Sequence, residues 1–130
     1  MIFKLDKNVK ICIVGLGYVG LPLAVEFGKK YDTIGFDISL SRISDLKLGK
    51  DKTNEIKESE LANLPRLSFT SSYKDASDCN VYIITVPTPI DKSNKPDLRA
   101  LRIASKTIAS IINNGNIIIF ESTVYPGVTE

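Results

Sequence analysis

The chain has 130 residues, 43% of them hydrophobic and 25% charged, enough for one domain with a core of its own. Its 17 Lys plus Arg and 15 Asp plus Glu leave a net charge of +2, which excludes the basic surface of a nucleic-acid binder or a membrane-surface protein. No apolar run is long enough to span a bilayer and no signal-peptide pattern opens the chain, so no membrane partner is expected and the expected location is the cytoplasm.

Val9 to Val14 is a continuous apolar, β-branched run, the pattern of a strand buried on both faces. Tyr18 to Lys30 follows with Val19, Leu23 and Phe27 at helical spacing and Ala24 beside them, and Pro22 is tolerable in the first turn. Thr33 to Phe36 reads as a second strand ending at Asp37. Ser39 is placed to cap a second helix, with Ile43, Leu46 and Leu48 on or near its inner face and Gly49 after it.

Lys50 to Pro65 is polar and charged, with a short helix around Ser59 to Leu64. Leu67 to Thr70 reads as a third strand, Ser72 to Ser77 as a short helical turn, and Val81 to Val86 as a fourth strand. Pro87-Thr88-Pro89 stops that strand, because proline cannot continue a central one. After a polar loop, Pro96-Asp97 opens a long helix carrying Leu98, Leu101, Ser105, Ile108 and Ile112, closed near Gly115. Asn116 to Phe120 is the fifth strand.

Strands alternating with helices predict an α/β, doubly wound parallel sheet in a single three-layer domain, the Rossmann fold, with strand order 3-2-1-4-5. No helix follows the last strand to bring in a sixth, so residues 1–130 read as a dinucleotide-binding domain cut from a longer enzyme.

The chemistry is limited in a useful way. There is no histidine, so neither histidine acid–base catalysis nor histidine metal ligation is available. The two cysteines, Cys12 and Cys79, match no metal spacing, and no metal is expected. Cys12 lies in an apolar strand. Cys79 sits between Asp78 and Asn80, where a thiol pKa is expected to rise. Neither is read as a nucleophile.

The informative stretch is IVGLGYVGLP, residues 13–22. Gly15 allows a tight turn, Gly17 leaves room for a pyrophosphate, and Gly20 lets the helix approach the strand. A lone G-x-G-x-x-G is a weak signal. Here it follows a strand, opens a helix, and is followed about twenty residues on by Asp37. Asp37 either accepts hydrogen bonds from the adenosine ribose, which favours NAD over NADP, or only caps the next helix. Arg42 lies along an adenine face or in solvent. The strand order reverses between the first and fourth strands, which aims two further loops at the cofactor. Val86-Pro87-Thr88-Pro89 and Glu121 to Gly127 each place a threonine hydroxyl, Thr88 and Thr123, just past a strand end, for the cofactor or for turn N–H groups.

Taken in order, IVGLGYVGLPLA, Phe36-Asp37, VPTPID with KPDL, and FESTVYPGVTE resemble the N-terminal NAD-binding domain of the UDP-glucose/GDP-mannose dehydrogenase family over nearly the whole chain. Glu121, where UDP-glucose enzymes usually carry lysine, resembles the branch acting on UDP-N-acetylhexosamines for capsule, Vi-type or O-antigen polysaccharides. The resemblance implies oxidation of a C6 hydroxyl to a carboxylate in two NAD-dependent steps, through a thiohemiacetal on a cysteine in a later part of the enzyme. It implies pyrophosphate contacts at Gly15, Gly17, Tyr18, Val19 and Gly20, ribose contact at Asp37 and adenine contact near Arg42. Pro87 and Thr88 fall beside the cofactor. Thr123 falls by the nicotinamide, the one catalytic residue here, as a group that places water rather than a base. A UDP-sugar partner and a homodimer are also implied, with this chain alone inactive. Two alternatives share the glycine loop: a hydroxyacid dehydrogenase, which should lack VPTP and STVYPG, and a non-enzymatic NAD-binding or interaction module.

Overall fold

A computed structural model describes residues 9–87, 92–95 and 97–121. The apolar run after Val9 forms β1 (Lys10–Val14) at the centre of a five-stranded sheet. It pairs in parallel with β2 (Asp32–Phe36) on one side and β4 (Val81–Ile84) on the other. The outer strands, β3 (Leu67–Thr70) beside β2 and β5 (Ile117–Phe120) beside β4, are also parallel. The order is β3-β2-β1-β4-β5, as the alternation predicted.

A central parallel strand must bury both faces, and β1 divides its side chains accordingly. Ile11 and Ile13 join Val81 and Ile83 under α1 (Gly20–Gly28) and α2 (Leu40–Lys47). Cys12 and Val14 join Tyr82, Ile84 and Phe36 under α4 (Arg99–Ala109) and the 3-10 turn Tyr73–Ala76. The Tyr82 hydroxyl, buried there, donates to the Ala76 carbonyl at 2.7 Å, and its burial pushes the phenol up to about 12. The short α3 (Glu58–Ala62) has no buried residue, though Leu61 packs partly against the first core.

Several helix faces differ from the sequence reading. The first helix begins at Gly20 rather than Tyr18, since Gly15–Val19 is spent on the turn, and its buried side chains are Leu21, Ala24 and Val25. Leu23 and Phe27 pack only at the margin, and Val19 is exposed. Leu48 lies past the end of α2 and is exposed, while Ile43 and Leu46 are buried as expected. Gly49 follows with φ +81°, the left-handed stop that glycine allows. Helix α4 starts at Arg99, so Leu98 is outside it and exposed. Its inward row is Leu101, Ala104 and Ile108, with Ile111 beyond the helix, in place of Ser105 and Ile112. Pro96 lies outside the described residues. Val86 is not part of β4, which ends at Ile84.

Candidate functional site

The β1-to-α1 turn stands at the carboxyl edge of the sheet, where the order reverses between β1 and β4. Gly15 has φ +99° and gives its N–H to the Phe36 carbonyl at 2.8 Å, which turns the chain tightly off β1. A Cβ on Gly20 would overlap the Gly15 carbonyl and the Thr85 hydroxyl, so this glycine is what lets α1 come so close to the strand ends. Thr85 Oγ1 is itself 2.6 Å from the Gly15 carbonyl oxygen and 3.1 Å from that of Val14. At Gly17 a Cβ would meet nothing within 4 Å. Space is open at that position, and no atom of the described residues uses it.

That space belongs to a cleft of about 770 Å³. Gly15, Leu16 and Gly17 line it on one side, with Asp37, Ile38, Ser39 and Arg42 along the tip of β2. Val86 and Pro87 line it past β4, and Ala100, Ile103, Ala104 and Thr107 present a row at helical spacing from α4. The opening of α1 at Val19 has no side-chain cap and no acidic residue in its first turn, so its positive dipole end is left uncompensated by the described side chains. Tyr18 and Val19, on that turn, are both exposed.

Among the described residues, Asp37 uses each carboxylate oxygen once: Oδ2 accepts the Leu16 N–H at 3.0 Å and Oδ1 the Ser39 N–H at 2.9 Å. A carboxylate has about four acceptor positions, so it retains capacity for hydroxyl groups entering the cleft. Ser39 does cap α2, its hydroxyl accepting from the Arg42 N–H at 3.2 Å. The cap of α2 thus falls on Ser39, so the alternative that Asp37 only caps the helix is corrected: Asp37 instead closes the turn ahead of it, through the Ser39 N–H. Arg42 neither lies in solvent nor moves freely. Its Nε donates to the Leu16 carbonyl at 2.8 Å and its Nη1 to Asp51 at 2.8 Å, while Nη2 is buried with no hydrogen-bond partner among the described residues. At the α4 end, Arg99 grips Asp97 with both Nε and Nη2, and this holds the Asp97 carboxyl down at about 2.

Thr88 and Thr123 lie outside the described residues. The sequence reading missed the apolar walls, Ile38 and Ile103. Both are more than half exposed in the open cleft. The signal for Ile103 was present as a second apolar row on α4, beside the core row. Thr85 and Asp51 were missed as well, since a buried threonine and a buried aspartate have no periodic signature.

Residues 9–130 match the UDP-glucose/GDP-mannose dehydrogenase family, NAD binding domain. The chain belongs to this family. The NAD-binding domain is 54% identical over 124 residues to a UDP-N-acetyl-D-glucosamine 6-dehydrogenase of Pseudomonas aeruginosa, covering 95% of this chain and 29% of that protein. A UDP-N-acetyl-D-glucosamine 6-dehydrogenase of Salmonella typhi is 53% identical, with 98% and 30% covered. Among solved structures, a UDP-D-ManNAc dehydrogenase from Pyrococcus horikoshii superposes with a TM-score of 0.82 at 36% identity, covering 93% of this chain and 30% of that one. The chain thus spans about three tenths of the length of these relatives.

In this NAD-binding domain the cleft has a chemistry that fits a dinucleotide: open room at Gly17, an uncapped helix N-terminus, an acidic acceptor, a guanidinium nitrogen without a partner among the described residues, and apolar walls. Its cysteines are elsewhere. Cys12 and Cys79 are buried and neither lines the cleft. They touch each other: the thiol contact lowers the Cys79 pKa and, with burial, raises that of Cys12. The rise expected for Cys79 is thereby corrected. Burial and the Asp78 charge do push its thiol upward, but the hydrogen bond from Cys12 outweighs them. Among the described residues no helix is long and apolar enough to cross a membrane, and no three Cys, Asp or Glu side chains gather as a metal site.

Proposed function

We propose that this chain is the NAD-binding part of a nucleotide-sugar 6-dehydrogenase that oxidises the C6 hydroxyl of a UDP-N-acetylhexosamine to a carboxylate, for surface polysaccharide synthesis. The observation that carries this reading is the similarity to UDP-N-acetyl-D-glucosamine 6-dehydrogenases over 95% or more of the chain. When bound, NAD supplies the hydride acceptor for each of the two steps.

The chain's own residues bind and orient. Gly15, Gly17 and Gly20, with the N–H groups of Tyr18 and Val19, receive the pyrophosphate on the α1 N-terminus. Asp37 accepts the adenosine ribose hydroxyls and repels a 2′-phosphate, which sets the preference for NAD over NADP. Arg42, Ile38 and Ile103 enclose the adenine end. Pro87 stiffens the loop past β4, and Thr88 meets the cofactor there. Thr123 orients water by the nicotinamide. The buried positions of Cys12 and Cys79, away from the cleft, support the view that the thiol for a thiohemiacetal comes from another part of the protein, so that this chain alone does not turn over substrate. The same reading takes a UDP-sugar as small-molecule partner, the cytoplasm as location and a homodimer as assembly.

The test is turnover by the whole protein that carries this chain. UDP-N-acetylglucosamine and UDP-N-acetylmannosamine are each offered with NAD, and NADH and uronic acid are counted. Two NADH per carboxylate formed from one of these sugars is expected. Turnover of a small hydroxyacid instead, or of neither sugar, overturns the reading.

A further inference from the structure

Asp51 stands in the polar stretch after α2, where the sequence offers no pattern, and it does not line the cleft. Its side chain is nevertheless fully buried. Oδ1 accepts from Arg42 Nη1 at 2.8 Å, from the Thr53 N–H at 2.9 Å and from the Thr53 hydroxyl at 2.6 Å. Oδ2 accepts from the N–H groups of Glu55 at 2.8 Å and Ile56 at 2.9 Å. A buried carboxylate is tolerable only when satisfied in this way. Four of its five bonds shape its own loop. The fifth leaves the loop for Arg42, a residue of the cleft.

Arg42 passes the restraint on. Its guanidinium is planar, so two bonds in different directions fix the plane. Nη1 is held by Asp51, which leaves Nε directed at the Leu16 carbonyl, 2.8 Å away. The N–H of the same Leu16 is held by Asp37. Both peptide groups of the residue between Gly15 and Gly17 are therefore gripped, in a turn whose glycines would otherwise let it wander.

We propose that Asp51 is a positioning residue of the dinucleotide site: it aims the Arg42 guanidinium at the Leu16 carbonyl and so holds the Gly15–Gly17 turn in the shape that receives a pyrophosphate. Asp51 itself touches no cofactor. The proposal rests on the reading of the cleft as the NAD site. It gives the stretch after α2 a role in cofactor binding.

The experiment is a double-mutant cycle in the whole protein that carries this chain, with calorimetric titration of ADP-ribose, the adenosine and pyrophosphate part of the cofactor. Asp51→Asn keeps the side-chain shape and removes the charge. It is expected to raise the ADP-ribose Kd about tenfold, the scale of one hydrogen bond to a charged group. Arg42→Ala is expected to do the same, and the double variant to bind no more weakly than Arg42→Ala alone. In steady state, Asp51→Asn should raise KM for NAD with kcat unchanged. A merely structural Asp51 would lower the melting temperature and leave the ADP-ribose Kd of the folded protein where it was, and that result overturns the proposal. Losses that add in the double variant overturn it too, since Asp51 would then act without Arg42. Should Asp51→Asn fail to fold, Thr53→Val removes one bond from the same carboxylate. It is expected to raise the Kd about twofold with Arg42 present and not with Arg42→Ala, and no change in either background counts against the proposal. If the parent protein binds neither NAD nor ADP-ribose, the reading of the cleft falls and takes the proposal with it. Parent binding with an unaffected Asp51→Asn removes Asp51 alone.

Discussion

Two glycines of one motif are expected to fail differently when a side chain is added. Gly17 faces open cleft, so Gly17→Leu should fold with a melting temperature within about 2 °C of the parent while NAD affinity falls by tenfold or more, read by calorimetry. At Gly20 even a methyl group collides with the Gly15 carbonyl and the Thr85 hydroxyl. Gly20→Ala should therefore lose stability itself, by about 1–3 kcal/mol, the usual cost of overpacking, in a denaturant titration. Asp37→Ala should weaken NAD binding by about 1–2 kcal/mol and narrow the gap to NADP, measured by parallel titrations. It should also lower the melting temperature, because the Leu16 and Ser39 N–H groups lose their acceptor. At this scale the glycines and Asp37 were legible because each answers a local backbone or charge requirement. Thr85 and Asp51 were not, because what makes them matter is a partner brought near by folding.

At the scale of elements, the tie between α2 and the loop after it has a pH signature. Burial on its own would raise the Asp51 carboxyl, but hydrogen bonds from Thr53, the Arg42 guanidinium and the Ile56 N–H outweigh it and hold the group well below the ordinary carboxylate range. A carboxyl lowered on folding binds its proton more readily in the unfolded chain. Its contribution is thus complete above the unfolded value of about 4 and drains away as pH falls below it. Acid unfolding followed by circular dichroism should show a shallower loss of stability below pH 4 in Asp51→Asn than in the parent. The strand starts were read to within about one residue, but β4 ends at Ile84, two residues short of the apolar run that was read as strand. The helix faces were read less well. In α4, Leu101, Ala104 and Ile108 run toward the sheet, and Ala100, Ile103 and Thr107 run along the cleft with Ala104 bordering both, and periodicity alone cannot say which row meets the core. In α1 the glycine turn consumed residues that the spacing had assigned to the helix.

For the whole molecule, the strand order followed from alternation and handedness, which restrict a β-α-β chain to few arrangements. That order brings the carboxyl ends of β1, β2 and β4 to one edge, and the cleft is the space that the reversal leaves there. It also brings Cys12 of β1 and Cys79 ahead of β4 into contact, 67 residues apart in the chain, in the middle of the second core. Both are at most 2% exposed, and the sequence has no other cysteine. A thiol reagent can reach them only when that core parts, so the chain carries a built-in clock for its own opening. Labelling by excess reagent under native conditions should proceed at the pace of global unfolding, slow down when NAD binds the folded form, and take up both thiols together. One thiol reacting well ahead of the other, as followed by mass spectrometry, would instead mark a local opening on the 3-10 side of the sheet, separate from the release of β1.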